Sequence, residues 1–221
     1  MALALPVASW AQMPSRPASI TAVGSATVSA TPDKARVDIS VVTQAATAQD
    51  ATAANATQAS TVITALQGFV SSNANIKTIS YYVSAVYNNP VPGQNATIIG
   101  YMVTNTVEVT LTDLSQVGKV IDTAIQSGAN RIQGISFDIQ DRNPLIAQAL
   151  KIAAGQARAQ ADAIASGLNV HTGAVLHASE GVNTATPLPL GAAAAAAPTT
   201  PIENGLVVVQ ASVTLEVAIT S

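Results

Sequence analysis

The clearest signal along the chain is a period of two. Between residues 99 and 111, Ile99, Tyr101, Val103, Val107, Val109 and Leu111 fall on one side of an extended strand, whereas Gly100, Thr104, Thr106, Glu108 and Thr110 fall on the other. The same alternation groups Val37, Ile39 and Val41; then Ile79, Tyr81, Val83, Ala85 and Tyr87; then Ile135, Phe137 and Ile139. Near the C-terminus it groups Val207, Val209, Ala211, Val213, Leu215, Val217 and Ile219. Strands that are apolar on one side bury one face, the habit of antiparallel sheet. Two further strands are expected from Ile20 to Ser29 and from Gly173 to Val182.

Three segments change to the spacing of three and four that marks one face of a helix. The first runs from about residue 46 to 71 and carries Ala48, Ala51, Asn55, Ala59, Val62, Leu66 and Phe69. The second follows a capping box of Asp113 and Gln116, carries Leu114, Val117, Val120, Ile121, Ala124 and Ile125, and ends before Gly128. The third takes Asn143 as its N-cap and Pro144 as its first position. It presents Leu145, Ile146, Ala149, Ile152, Ala153, Ala157, Ala161 and Ile164, and stops at Gly167. The order is therefore ββαββαβαββ: an α+β fold of largely antiparallel sheet with three helices packed on it.

Residues 88–97 are rich in Asn, Pro and Gly and read as a hairpin loop. Residues 183–203 read as a longer loop, with Pro187, Pro189, the tract Ala192 to Ala197, Pro198 and Pro201. A connection of that length inside a compact domain is functional or disordered, so it is expected to be a floppy insertion or an arm ordered against a neighbour.

Composition narrows the field. The chain of 221 residues is 48% hydrophobic, which is ample for a core and excludes general disorder. Charged residues make up 10% and the net charge is -3, so no basic field exists to hold a nucleic acid. There is no cysteine, which excludes disulfides, thiolate metal sites, a cysteine nucleophile and a lipid anchor on an N-terminal cysteine. Residues 1–11 are apolar and end in Ser9-Trp10-Ala11, the small-x-small spacing of a signal-peptide cleavage site. They read as the remnant of a signal peptide without its basic start, since the first basic residue is Arg16; a frayed apolar N-terminus is the alternative. No later segment supplies the roughly 18 apolar residues of a membrane span. The mature protein is expected to be soluble in the periplasm or outside the cell.

The residues offer little chemistry. His171 and His177 stand six apart with no third ligand nearby, which fits no metal spacing. Asp138 and Asp141 suggest a glycosidase pair, but one ends a strand and the other precedes a helix, where negative charge favours the dipole. The nearest approach to a nucleophile elbow, Gly134-Ile-Ser136-Phe-Asp138, lacks the second glycine. There is no phosphate-cradling glycine motif, and Lys34, Arg36, Lys151 and Arg158 are dispersed as solvated or paired positions. Asn55 is polar on an apolar helix stripe and needs buried partners, which the backbone of an adjoining sheet would supply. The expectation is a protein that is not an enzyme, with neither metal nor cofactor.

A set of short segments, taken in order, resembles the SIMPL-domain family of exported bacterial proteins. They are Val23-Gly24 with Pro32-Asp33, Ala51 with Asn55, Ile99-Gly100-Tyr101, and Asp113-Leu114 with Val117-Gly118. Further along come Gly128-Ala-Asn130, Gly134 to Phe137, Ala157-Arg158 with Ala161, and Pro201-Ile202 with Gly205. The likeness covers residues 19–221 as one domain, and order and spacing carry it rather than any one segment. It implies an α+β fold, a periplasmic location, assembly into a large ring-like homo-oligomer, and a part in tolerance of oxidative and other envelope stress. It supplies no catalytic residue. A periplasmic module binding a small molecule or peptide near Tyr81, Tyr87 and Tyr101 is the alternative.

Overall fold

The computed structural model describes residues 17–70, 72, 75–88, 95–188 and 202–220, with backbone alone for 184–188. The signal-peptide remnant, the tip of the 88–97 hairpin and the alanine tract lie outside the described residues. The elements are β1 (Ser19–Ala30), β2 (Lys34–Ala45), α1 (Ala48–Leu66), β3 (Ile76–Tyr87), β4 (Ile98–Leu111), α2 (Val117–Gln126), β5 (Arg131–Asp138), α3 (Asn143–Gly167), β6 (His171–Leu188) and β7 (Leu206–Thr220). The order is the one read from the sequence, and the class is α+β. β6 is longer than expected: its backbone stays extended through Leu188, inside the range read as a loop.

The chain divides into two compact units. One gathers the described residues up to Val28, Ile146–Asn183 and those from Val209 onward; the other holds Ser29–Leu145 and the described part of Thr184–Val208. The first unit is built on a three-stranded sheet of order β1-β7-β6 with α3 packed on it. Ile20 and Ala22 of β1, Val217 of β7, and Ala161 and Ala165 of α3 form its core. The buried stripe of α3 is Ala149, Ala153, Ala157, Ala161 and Ala165, a strict spacing of four. Ile152 and Ile164, expected on that face, are exposed, because the small alanine side chains bring helix and sheet too close for a branched one. Gly24 marks the closest approach: a Cβ there would overlap the carbonyl oxygen of Ala153 and the amide nitrogen of Ala157.

The second unit is a four-stranded antiparallel sheet of order β3-β4-β2-β5. Ala35, Val37, Ile39 and Val41 of β2 and Val107, Val109 and Leu111 of β4 meet α1 and α2 in one core. α1 starts at Thr47, whose hydroxyl accepts the Asp50 amide, and contributes Ala59, Val62 and Leu66. Ahead of α2, the Asp113 carboxylate accepts from the Ser115 amide at 3.1 Å and from the Gln116 side chain at 3.2 Å. That arrangement caps a 3-10 turn over Leu114–Gln116 rather than forming the reciprocal box expected from the sequence. Gly128, at φ 113°, ends α2 in the left-handed region, and its carbonyl accepts from Gln58.

Bulges correct the strand reading in two places. The β2–β5 register skips Gln133, passing from Asp38 opposite Gly134 to Ile39 opposite Ile132. Ile132, Ile135 and Phe137 thereby all reach the core, which simple alternation forbids. The β3–β4 register skips Ile79, between Thr78 opposite Val107 and Ser80 opposite Thr106. Past the bulge, Tyr81, Val83 and Ala85 lie on the same side as Ile76, which packs on the core, yet Ile79, Tyr81 and Val83 stay exposed.

Candidate functional site

β3 lies at the edge of its sheet, and among the described residues its only strand partner is β4. Tyr81, Val83 and Ala85 stand opposite Asn105, Val103 and Tyr101, on the side of the sheet that α1 covers further in. Val103 is fully buried, whereas Val83 beside it is 40% exposed and Tyr81 is 50% exposed, so the helix shelters the inner strands and leaves the edge open. Tyr82 points the other way, opposite Thr104, and is 62% exposed. Consecutive tyrosines make this strand apolar on both faces, a break in the alternation that was readable in the sequence. At the far end of the hairpin Tyr87 pairs with Ile98 across a second irregularity, and Tyr87, Ile98 and Ile99 are exposed. Ile99 was expected in the core; the β4 residue skipped at that irregularity cannot keep the inward alternation.

Of the three tyrosines expected to line a ligand site, Tyr101 stands opposite Ala85, two residues from Tyr87 and four from Tyr81. Tyr81 and Tyr87 lie along the open strand and Tyr101 is half-buried. Gly100 beside it leaves room for the Ala45 carbonyl, which a Cβ would crowd.

Other residues singled out from the sequence make contacts within the second unit. Asn55 is fully buried; its amide donates to the carbonyls of Val41 at 2.9 Å and Val103 at 3.4 Å, tying α1 to β2 and β4. Its Oδ1 has no partner. Pro32 is buried, and the Asp33 carboxylate accepts the Gln140 amide at 2.7 Å while the Asp33 amide donates to the Asp138 carbonyl at 3.1 Å. The turn before β2 is thereby bound to the turn after β5. Phe137 packs on the same core opposite Ala35, and Gly205 is buried at the entrance to β7.

Asp138 pairs with Arg142 at 2.6 Å and with Lys34 at 3.8 Å. Partial burial pushes its pKa upward, but the Ile139 amide, the Arg142 hydrogen bond and the charges of Arg142 and Lys34 outweigh that and hold it below its ordinary value. A carboxyl so held stays ionised, the opposite of what a general acid requires. Asp141 accepts the Asn143 amide at 2.9 Å, at the start of α3.

In the first unit Arg158 gathers residues that the sequence left apart. Its guanidinium meets Asp162 at 3.1 Å, the Thr172 hydroxyl at 2.9 Å and the Gly173 carbonyl at 3.2 Å, clasping α3 to the start of β6. Thr172 in turn donates to Asp162 at 2.5 Å. Arg158, Asp162 and Thr172 line an open depression of about 540 Å³ together with Asn169 and His171. His177 is exposed further along β6 and does not line it. A second depression, of about 440 Å³, lies over the β1, β6 and β7 strands around Thr27, Gly181 and Gln210. The Arg158 charge is answered by Asp162, so the larger depression presents hydroxyls and amides rather than a free cation.

The family model described as SIMPL, a protein of unknown function (DUF541), matches residues 20–217. The chain belongs to the SIMPL family. A relative named 26 kDa periplasmic immunogenic protein, from Brucella melitensis, is 31% identical over 184 residues, covering 81% of this chain and 73% of the relative. Uncharacterized protein YggE of Escherichia coli K12 is 26% identical over 179 residues, covering 81% of this chain and 72% of the relative. Within this SIMPL chain, Gly24 sits at a close backbone approach, Gly128 at a positive φ and Asn55 in buried hydrogen bonds, while Asp33 and Arg158 make exposed and part-buried ones.

Proposed function

We propose that this SIMPL-family chain is an exported, periplasmic protein that works without catalysis, self-assembles, and through that assembly supports the cell envelope under oxidative and other stress. The observation that carries this reading is the uncovered edge strand β3, where Ile79, Tyr81, Tyr82 and Val83 are exposed together and only Lys77 is charged. Sheet edges that stay monomeric are blunted by charge, proline, shortness or a bulge; β3 has twelve residues, and past the bulge at Ile79 its stretch from Ser80 to Val86 carries none of these. The periplasmic location is supported by the name that the Brucella relatives carry, 26 kDa periplasmic immunogenic protein. No described helix is long and apolar enough to cross a membrane.

The test is the molar mass of the purified protein by size exclusion with light scattering over about a hundredfold concentration range, where self-association responds by mass action. A discrete species many times the 22.2 kDa of one chain is expected. A monomer at every concentration overturns the reading. Cells lacking the protein are expected to lose viability under peroxide, and unchanged survival removes the stress role.

A further inference from the structure

The edge of β3 is self-complementary. Its middle reads Ser80-Tyr81-Tyr82-Val83-Ser84, a pattern of polar and apolar residues that is the same in both directions. We infer that two copies pair antiparallel along β3 with Tyr82 on the two-fold axis, so that two four-stranded sheets become one continuous sheet across the subunit boundary. The inference rests on the self-assembly reading and names its interface.

In that register Tyr82 faces its own copy, Tyr81 faces Val83 of the partner subunit, and Ser80 faces Ser84 of the partner subunit. Aromatic residues meet aromatic or β-branched ones, and serine meets serine, the cross-strand pairs that stabilise antiparallel sheet. Tyr81 and Val83 lie on the α1 side and Tyr82 on the other, so apolar surface is covered on both faces at once. Charge fixes the direction. Lys77, the only charge on the strand, sits near one end; antiparallel pairing carries the two lysines to opposite ends of the shared edge, whereas parallel pairing sets them side by side. The outward N–H and C=O groups of β3 gain partners, which no face-to-face contact would provide. A second copy satisfies all of these at once. An extended peptide of another protein would satisfy the backbone alone.

The chain contains no cysteine, so a single introduced thiol reports position cleanly. Residues opposite one another in an antiparallel pair have Cα atoms about 4.5–5.5 Å apart, within disulfide reach. Tyr82→Cys is therefore expected to give a covalent dimer under mild oxidation. Ser84→Cys is expected to give none, since its copies lie four residues out of step, roughly 14 Å apart. A mixture of Ser80→Cys and Ser84→Cys chains is expected to cross-link although neither does so alone. Tyr82→Lys, at an exposed position, is expected to keep the circular dichroism of the parent and at least halve the molar mass of the assembly.

Failure is separable from failure of assembly. An assembly by light scattering that neither cross-links through residue 82 nor shrinks with Tyr82→Lys overturns this interface and leaves self-association standing. Cross-linking of Ser84→Cys with itself overturns the antiparallel register. A monomeric parent overturns both.

Discussion

Gly24 and Ala153 touch through their backbones: a Cβ on residue 24 would lie inside the carbonyl oxygen of Ala153. Strand and helix in that unit meet without side chains between them, which is why the buried stripe of α3 is alanine throughout. Neither backbone can retreat without opening the contacts of Ile20, Ala22 and Val217. Gly24→Ala is expected to cost about 2–3 kcal/mol, the scale of overpacking in a close-packed core. Thermal unfolding followed by circular dichroism would show this as a fall in Tm of roughly 4–12 °C for a chain of this size. An unchanged Tm would mean that the helix can shift at no cost.

The Asn55 amide is a donor to two strand carbonyls and its oxygen has no partner. Asn55→Ala is expected to lower stability by about 2–3 kcal/mol, through unpaired buried carbonyls and a small void. Asn55→Asp is expected to cost more than Asn55→Ala at neutral pH, because a carboxylate at that site would face carbonyl oxygens without a proton to give. Urea midpoints of the two variants decide the point; equal losses would show that volume, not the donated hydrogen bonds, sets the cost.

Asp138 has a pKa depressed in the folded chain, so through that range the unfolded chain binds more protons. Its contribution is complete above the unfolded value and is lost as pH falls through the folded one. The stability difference between the parent and Asp138→Asn is expected to be flat from about pH 8 to about pH 5, at about 1–2 kcal/mol, and to shrink below about pH 4. Urea titrations across that range measure it. A difference growing toward acid would contradict the ion-pair geometry with Arg142 and Lys34.

Asp38 stands directly opposite Glu108 in the β2–β4 register, two like charges on one face. Glu108 is partnered by Arg36 at 3.5 Å, while the buried Oδ1 of Asp38 has no partner. Like charges directly opposite destabilise a sheet. Asp38→Asn is expected to raise stability by about 0.5–1 kcal/mol, with a gain in Tm of roughly 1–4 °C. A loss of stability would show that the charge itself is needed.

The sequence by itself determined the element order, the α+β class and the core positions of β2, since Val37, Ile39 and Val41 alternate without interruption and local period depends only on neighbours along the chain. It also determined the donor demand of Asn55, a polar side chain on an apolar stripe, and the glycine that ends α2. Tertiary structure decided what local period cannot carry. A bulge at Ile79 reverses the parity of β3, and its place depends on the partner strand. Position at the sheet edge, not composition, leaves Tyr81 and Val83 open while Val103, opposite Val83, is buried. Arg158, Asp162 and Thr172 meet because α3 and β6 pack together, a contact between segments whose own patterns say nothing of it. Burial and edge position belong to the pairing of distant strands, and the edge that β3 leaves open among the described residues is therefore a fact of the fold rather than of the sequence.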